Sequence, residues 1–255
     1  MQVGYGKGEA MGNGHDEYGQ TLRSYLSVPC ECSYLCGREA RSEVVVPVDL
    51  MDTDVYSQLV TMGFRRSGLF VYRPACDGCE ACVPIRVRVD AFSPNRSQRR
   101  AQGLASVLEV HVVGLRDTHE YYDLYLRYQE KRHSGGGMDK DDRKQYQAFL
   151  GSSKVSTQVV EYREVILCGH ALRMVSVVDV LRDGVSAVYT YYDPDERKRS
   201  YGTYGILWQI AYAKQLGLPY VYLGYWIREC RKMSYKCNFR PFEVLGADGR
   251  WQSSG

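Results

Sequence analysis

YYDPDERKRSYGTYGILWQIAYAKQLGLPYVYLGYW, residues 191–226, holds the turn on which the architecture depends. A strand ends here in Tyr189, Tyr191 and Tyr192. A polar, glycine-containing turn follows, then a helical run over 203–216 that Gly217 and Pro219 close. YVYLGYW (220–226) is strand-like again, so the stretch predicts a strand–helix–strand crossover between parallel neighbours. Upstream, three strand-like runs lie near 157–167, 171–181 and 185–192. SVLEVHVVGL (106–115) reads as a strand. DTHEYYDLYLRYQEKRH (117–133) reads as a helix, with Asp117 at its cap and Glu120 three residues on. SGGGMD breaks it, and 139–150 reads as a second helix. The order β-α-α-β-β-β-α-β predicts a mixed sheet in an α+β chain.

That order is similar to the GNAT acyltransferase core. There a glycine-containing turn at the start of the crossover helix binds acyl-donor phosphates through backbone N–H groups. The turn here runs from Arg199 through Gly202 to Gly205, and its second glycine comes one residue late. An ordinary helix cap is the competing reading. Tyr189, Tyr191, Tyr192, Tyr222 and Tyr225 flank the place where an acyl donor would lie. Asp193 and Asp195 stand just before the turn. A carboxylate there can accept a proton from an attacking amine, although Asp193 beside Pro194 also suits a plain turn.

The N-terminal part is different in kind. RPACDGCEACVPIR (73–86) sets Cys76, Cys79 and Cys82 at equal two-residue spacing, and such spacing lets thiolates converge on one ion or cluster. The fourth ligand comes from CECSYLCG, where Cys30, Cys32 and Cys36 compete. Cys168, Cys230 and Cys237 sit singly and read as packing residues. Residues 52–62 read as a short helix, 68–74 and 83–92 as strands, and FSPNRSQRR (92–100) as a basic loop. Residues 65–100 hold eight arginines against three acids, so they carry +5 while the rest of the +3 chain carries −2. One basic face on a nearly neutral protein predicts a polyanionic partner, against the plainer reading of a solvated surface.

The 255 residues are 44% hydrophobic and 25% charged, enough for a buried core. No apolar run approaches the ~20 residues of a membrane span. MQVGYGKGEAMGNGHDEYGQ lacks an apolar h-region and reads as a polar tail rather than a secretory signal. The expectation is a cytoplasmic protein without a membrane. Its domains are a disordered tail (1–25), a small basic cysteine-containing domain (26–104), a GNAT-like transferase domain (105–245) and a short tail (246–255).

The chain resembles the aminoacyl-tRNA–protein transferase family, and most closely its bacterial branch, the aspartate/glutamate leucyltransferases. The stretches that carry the resemblance are CSYL (32–35), GFRRSGLFVYRPACDGCEACVPIRV (63–87), FSPNRSQRR (92–100), RHSGGGM (132–138), YYDPD (191–195), SYGTYGILWQI (200–210), YVYLGYWI (220–227) and MSYKCNFRPFE (233–243). It implies transfer of an amino acid, leucine favoured over arginine, from its tRNA to the α-amino group of proteins that begin with Asp or Glu. That transfer marks them for degradation. The ester carries the driving force, so no cofactor is required for transfer, and no covalent enzyme intermediate is expected.

The resemblance also sorts the candidates. Cys32 joins Cys76, Cys79 and Cys82 as the ligand set for zinc or an Fe–S cluster. Arg65, Arg66, Arg73, Arg86 and Lys236 are the acceptor-binding candidates, with Arg73 and Arg86 held rigidly by the cysteine loop. Arg88, Arg96, Arg99 and Arg100 are assigned to tRNA. Arg199, Gly202 and Gly205 form the turn at the aminoacyl end. Asp195 and Tyr225 are the catalytic candidates, and polar groups on the splayed strands would stabilise the oxyanion. An acyl-CoA N-acyltransferase and a non-catalytic zinc-containing RNA-binding protein are the more distant alternatives.

Overall fold

The computed structural model describes residues 21–132, 142–196 and 200–254, together with the backbone of 9–15. Five antiparallel strands build the N-terminal sheet: β1 (Glu9–His15), β2 (Thr21–Leu26), β5 (Ser42–Val46), β6 (Arg65–Ser67) and β7 (Phe70–Pro74), in spatial order β1-β2-β5-β7-β6. A two-stranded hairpin, β3 (Cys30–Glu31) and β4 (Glu39–Ala40), projects from it. Residues 1–25, expected as a disordered tail, therefore contribute two strands. Helix α1 (Thr53–Thr61) starts where the Asp52 carboxylate accepts the Val55 N–H at 2.8 Å. Its Tyr56, Leu59 and Val60 pack on Val45, Val71 and Phe64.

The second sheet has eight strands: β8 (Val83–Arg88), β9 (Leu108–Gly114), β10 (Thr157–Ile166), β11 (Gly169–Val180), β12 (Gly184–Tyr192), β13 (Tyr220–Trp226), β14 (Phe242–Leu245) and β15 (Trp251–Ser254). Their order is β15-β14-β8-β13-β12-β11-β10-β9. Among the described strands only β12 and β13 run parallel, joined by α5 (Tyr201–Gln215), so the predicted mixed sheet and crossover are present. Two boundaries differ from expectation. Strand β8, from the cysteine-containing stretch, lies in the middle of the large sheet. Residues 251–254, expected in a tail, form its edge.

Alternation separates the two faces of this sheet. Val160 and Tyr162 of β10 pack under α5 with Ile206, Leu207 and Ile210. Val159 packs against α3 (His119–Arg132) and α4 (Arg143–Leu150) through Leu124, Tyr125 and Tyr146. Helix α3 is capped by Thr118, whose Oγ1 accepts the Tyr121 N–H at 3.2 Å. Asp117, the expected cap, instead holds Arg143 at 2.9 Å. Residues 92–100, expected as a loop, open α2 (Arg96–Leu104) through a capping box. Asn95 Oδ1 accepts the Gln98 N–H at 3.0 Å, and Gln98 Oε1 accepts the Asn95 N–H at 2.8 Å. Among the described residues no helix is long and apolar enough to cross a membrane.

Candidate active site

Strands β12 and β13 pair only over Gly184–Ser186 and Tyr220–Tyr222, although β12 continues to Tyr192 and β13 to Trp226. Past that point they part, and Arg65 fills the opening. Its Nη2 donates to the Ala187 carbonyl on β12, and its Nη1 reaches the Tyr222 carbonyl on β13 at 3.5 Å. A bulge in β13 makes room. Gly224 sits at φ +78°, and a Cβ there would lie 3.1 Å from the Arg65 guanidinium carbon. Only glycine meets both demands without strain.

Consecutive residues on a strand point to opposite faces, so Arg65 and Arg66 cannot share a task. Arg66 turns away and makes a bidentate pair with Asp179, both bonds at 2.7 Å, with both residues buried. Two further N–H groups go to Gly68 O and Thr157 Oγ1, each at 3.0 Å. Arg73 pairs with Glu43 at 2.6 Å on the neighbouring strand and reaches Met62 O at 3.5 Å. Arg86 is buried, bonded to Glu243 at 2.7 Å and Tyr222 Oη at 3.1 Å, with its guanidinium 3.5 Å from the Tyr220 ring centroid. Three of the five expected acceptor-binding cations thus already hold carboxylate partners within the chain, which departs from the expectation that Arg73 and Arg86 read the acceptor.

The other two come together. Lys236 is buried, and its Nζ donates to the Tyr225 carbonyl at 2.7 Å. Burial, and then the charge of Arg65, push its ammonium down to about 7, while Cys230 and Cys82 act in the opposite direction. Among the described residues neither Arg65 nor Lys236 has a carboxylate partner. Tyr72 and Tyr225 crowd the same space, and Tyr34, still part-exposed, borders it. Burial raises each of their pKa values, and Arg65 pulls each back. The Tyr225 hydroxyl donates to Gly63 O at 2.9 Å, so the expected catalytic Tyr225 lies in the site with its proton committed to backbone. Asp195, the other catalytic candidate, is exposed and paired with Lys131. Asp193 is buried against Arg173 at 2.9 Å.

Of the turn residues, Arg199 lies outside the described residues. Ser200 precedes the helix at φ +52°, and its carbonyl accepts the N–H groups of Thr203 and Tyr204, each at 3.0 Å. A Cβ on Gly202 would lie 3.5 Å from the Tyr192 ring. Gly205 faces inward, where a Cβ would meet Met174, Ser176 and Thr190 at 3.6 Å, so it serves close helix–sheet packing. Arg96, Arg99 and Arg100 stand exposed on α2, at positions that share one side of a helix. Arg88 is half-exposed and paired with Asp90 at 3.0 Å.

The cysteines converge from two hairpins. Cys76 and Cys79 face each other across a turn that Gly78 makes at φ +70°. Backbone N–H groups of Leu35 and Arg41 point at Cys32 Sγ (3.4 Å) and Cys76 Sγ (3.5 Å), and Arg38 Nη1 reaches Cys79 Sγ at 3.2 Å. The Ala81 N–H and then Arg38 lower the Cys79 thiol. Burial, followed by the nearby Cys76, Cys32, Cys79 and Cys230, pushes Cys82 up to about 12. Among the described residues no three His, Cys, Asp or Glu side chains are grouped tightly enough to hold a metal ion. The donor type and convergence fit a soft ion, which would have to draw the thiols together. Of the three competing N-terminal cysteines Cys32 is among the thiols that raise Cys82 and is half-buried, while Cys30 and Cys36 are exposed. Sequence reading missed Cys230, which lies in the turn after β13, and Tyr34, whose signal was the CSYL stretch. Cys168, expected to pack, is exposed.

The family described as "Arginine-tRNA-protein transferase, N terminus" matches residues 30–100, and its C-terminal counterpart matches residues 120–246. The chain is 50% identical over 241 residues to the "Aspartate/glutamate leucyltransferase" of Chromobacterium violaceum, covering 94% of this chain and 98% of that protein. It is 51% identical over 232 residues to the protein of that name from Nitrosospira multiformis, covering 91% and 90%. Among solved structures, the C-terminal domain of a putative lysylphosphatidylglycerol synthetase from Agrobacterium fabrum superposes with a TM-score of 0.45 at 11% identity, covering 69% of this chain and 58% of that one.

Proposed function

The chain belongs to the arginine-tRNA-protein transferase family, and from that premise we propose that it moves leucine from leucyl-tRNA to the N-terminal α-amino group of proteins beginning with Asp or Glu. One observation carries the reaction: near-full-length identity of about half to proteins named for it. The splayed strands supply a place for it. Arg65 is a cation without a carboxylate partner in the opening, with Lys236 close by, so an acidic N-terminal residue brings the charge Arg65 lacks. The guanidinium fork suits a carboxylate, and desolvation of that carboxylate is offset by the pairing.

The reaction needs little covalent chemistry from the protein. The ester is already activated, and holding amine and carbonyl together supplies much of the rate. Cys32, Cys76, Cys79 and Cys82 would hold a zinc ion or cluster that braces the two hairpins, and no step of the transfer passes through it. The exposed arginines of α2 would meet the tRNA backbone.

A transfer assay tests this reading: purified protein, radiolabelled leucyl-, arginyl- or phenylalanyl-tRNA, and peptides beginning with Asp, Glu or Ala. Leucine should enter the Asp and Glu peptides and not the Ala peptide. Transfer of arginine in place of leucine would overturn the donor assignment. Labelling only from acetyl-CoA would overturn the reaction.

A further inference from the structure

An acceptor protein arrives with its α-amino group largely as an ammonium, which cannot attack an ester until it loses a proton. The expected base, Asp195, is exposed and occupied by Lys131. The Tyr225 hydroxyl proton is committed to Gly63 O. Lys236 has neither limitation. It is buried, its Nζ donates to the Tyr225 carbonyl on the diverging part of β13, and among the described residues no acid pairs with it. A buried ammonium without an acid partner is unfavourable, and an apolar side chain would fill the space better if packing were the only requirement.

We propose that Lys236 is a catalytic residue that takes the proton from the acceptor's α-ammonium group. This deepens the leucyl-transfer reading above and rests on it. The neutral amine of Lys236 keeps one N–H on Tyr225 O and offers its lone pair to the acceptor. Its ammonium pKa of about 7 leaves that lone pair available at neutral pH. The acceptor N–H proton moves to Lys236 Nζ. The freed amine nitrogen then bonds to the ester carbonyl carbon, and the C–O bond to the tRNA ribose breaks. The second proton lost by nitrogen goes to the departing ribose oxygen, and Lys236 returns its proton to solvent.

The charged and titratable groups facing Lys236 come from three elements: Arg65 on β6, Cys82 before β8 and Cys230 after β13. Arg65 is the one that lowers its proton affinity. An acidic acceptor side chain bound at Arg65 cancels that charge and makes Lys236 a stronger base. A neutral side chain does not. Acceptor choice would therefore act on the rate of transfer as well as on binding.

The test is single-turnover transfer of leucine to an Asp peptide at pH 7, with wild type, Lys236→Arg and Lys236→Gln. Melting temperature and tRNA affinity report folding. Arginine keeps an N–H donor for the Tyr225 carbonyl but cannot act as a base at this pH. Lys236→Arg should leave the acceptor KM within a few fold and lower the saturated rate by about 10²–10⁴-fold. If Lys236→Arg does not fold, Lys236→Gln decides, using a peptide whose first residue is the α-hydrazino analogue of aspartate. Its terminal nitrogen is neutral at pH 7 and needs no base, so the loss should shrink at least tenfold. A saturated rate for Lys236→Arg within threefold of wild type, or equal losses of Lys236→Gln with both acceptors, would overturn the proposal. Wild type that transfers nothing to the Asp peptide would instead overturn the leucyl-transfer reading itself.

Discussion

Gly224 and Arg65 are fitted to each other: a Cβ on Gly224 would stand 3.1 Å from the guanidinium carbon, at a backbone φ of +78°. The glycine thus lets Arg65 hold the carbonyls of Ala187 and Tyr222 where their strands part. Arg65→Gln should remove the preference for acidic over alanine N-termini, at ~2–5 kcal/mol of acceptor binding. Gly224→Ala should act in the same direction, with some loss of stability from the strained backbone. Acceptor KM measured for Asp- and Ala-peptides checks both. An intact preference in Arg65→Gln would move the acceptor site elsewhere.

Arg66 should behave differently although it is the next residue. Truncation to Ala leaves the buried Asp179 without a charged partner, held only by the Thr157 hydroxyl, which costs about 3–5 kcal/mol of stability. Thermal denaturation should show a large drop in Tm, while the folded fraction keeps its acceptor preference. Arg86→Ala should follow the same pattern, since Glu243 and Tyr222 lose their shared partner. A selective loss of acidic acceptors in Arg86→Ala, with Tm unchanged, would contradict this assignment.

The sheet order was legible because helical and strand periods alternate cleanly from residue 106 onward. The opposed roles of Arg65 and Arg66 follow from strand alternation once 65–67 is known to be a strand, but three residues between a helix and a strand carry no period of their own. The partners of Arg86 were not legible, because Glu243 lies 157 residues away and the pair forms only through the β8–β14 contact. Helix α2 was hidden by its charge. Its one local signal was Asn95 and Gln98 at capping-box spacing, and the basic composition of 92–100 outweighed it. Cys230 was read as packing because nothing in sequence places the turn after β13 beside the cysteine loop.

The α2 arginines carry the tRNA reading. Replacing Arg99 and Arg100 by Ala should weaken tRNA binding and reduce the slope of log K against log salt by up to about two. Acceptor-peptide affinity should stay near wild type, because neither residue approaches the splay. Titrations of tRNA at several salt concentrations read the slope directly, and an unchanged slope would take α2 off the RNA face.

Metal content tests the cysteine convergence. Anaerobically purified protein should carry zinc or iron by elemental analysis, and Cys79→Ser should lower it and destabilise the N-terminal sheet. Cys168→Ser should leave it unchanged, since that thiol lies exposed on the β10–β11 turn. A folded, active preparation free of both metals would show that thiol packing alone sets this hairpin pair.

Lys236 should also mark the pH dependence of stability. Its pKa falls from the ordinary 10.5 to about 7 on folding, with burial the first cause and Arg65 the second. Between those values the unfolded chain holds a proton that the folded protein lacks. Stability therefore rises with pH across this window through this group, and its destabilising effect is complete below about 7. Lys236→Met removes the titrating amine at the expense of the bond to Tyr225 O, a loss that does not vary with pH. The Tm of Lys236→Met minus that of wild type should be largest at pH 6–7 and shrink steadily towards pH 10. Taking the difference cancels the titration of the buried tyrosines, which is common to both proteins. A difference that stays flat from pH 6 to 10 would mean that Lys236 remains charged in the fold, and it would remove the neutral amine on which proton transfer depends.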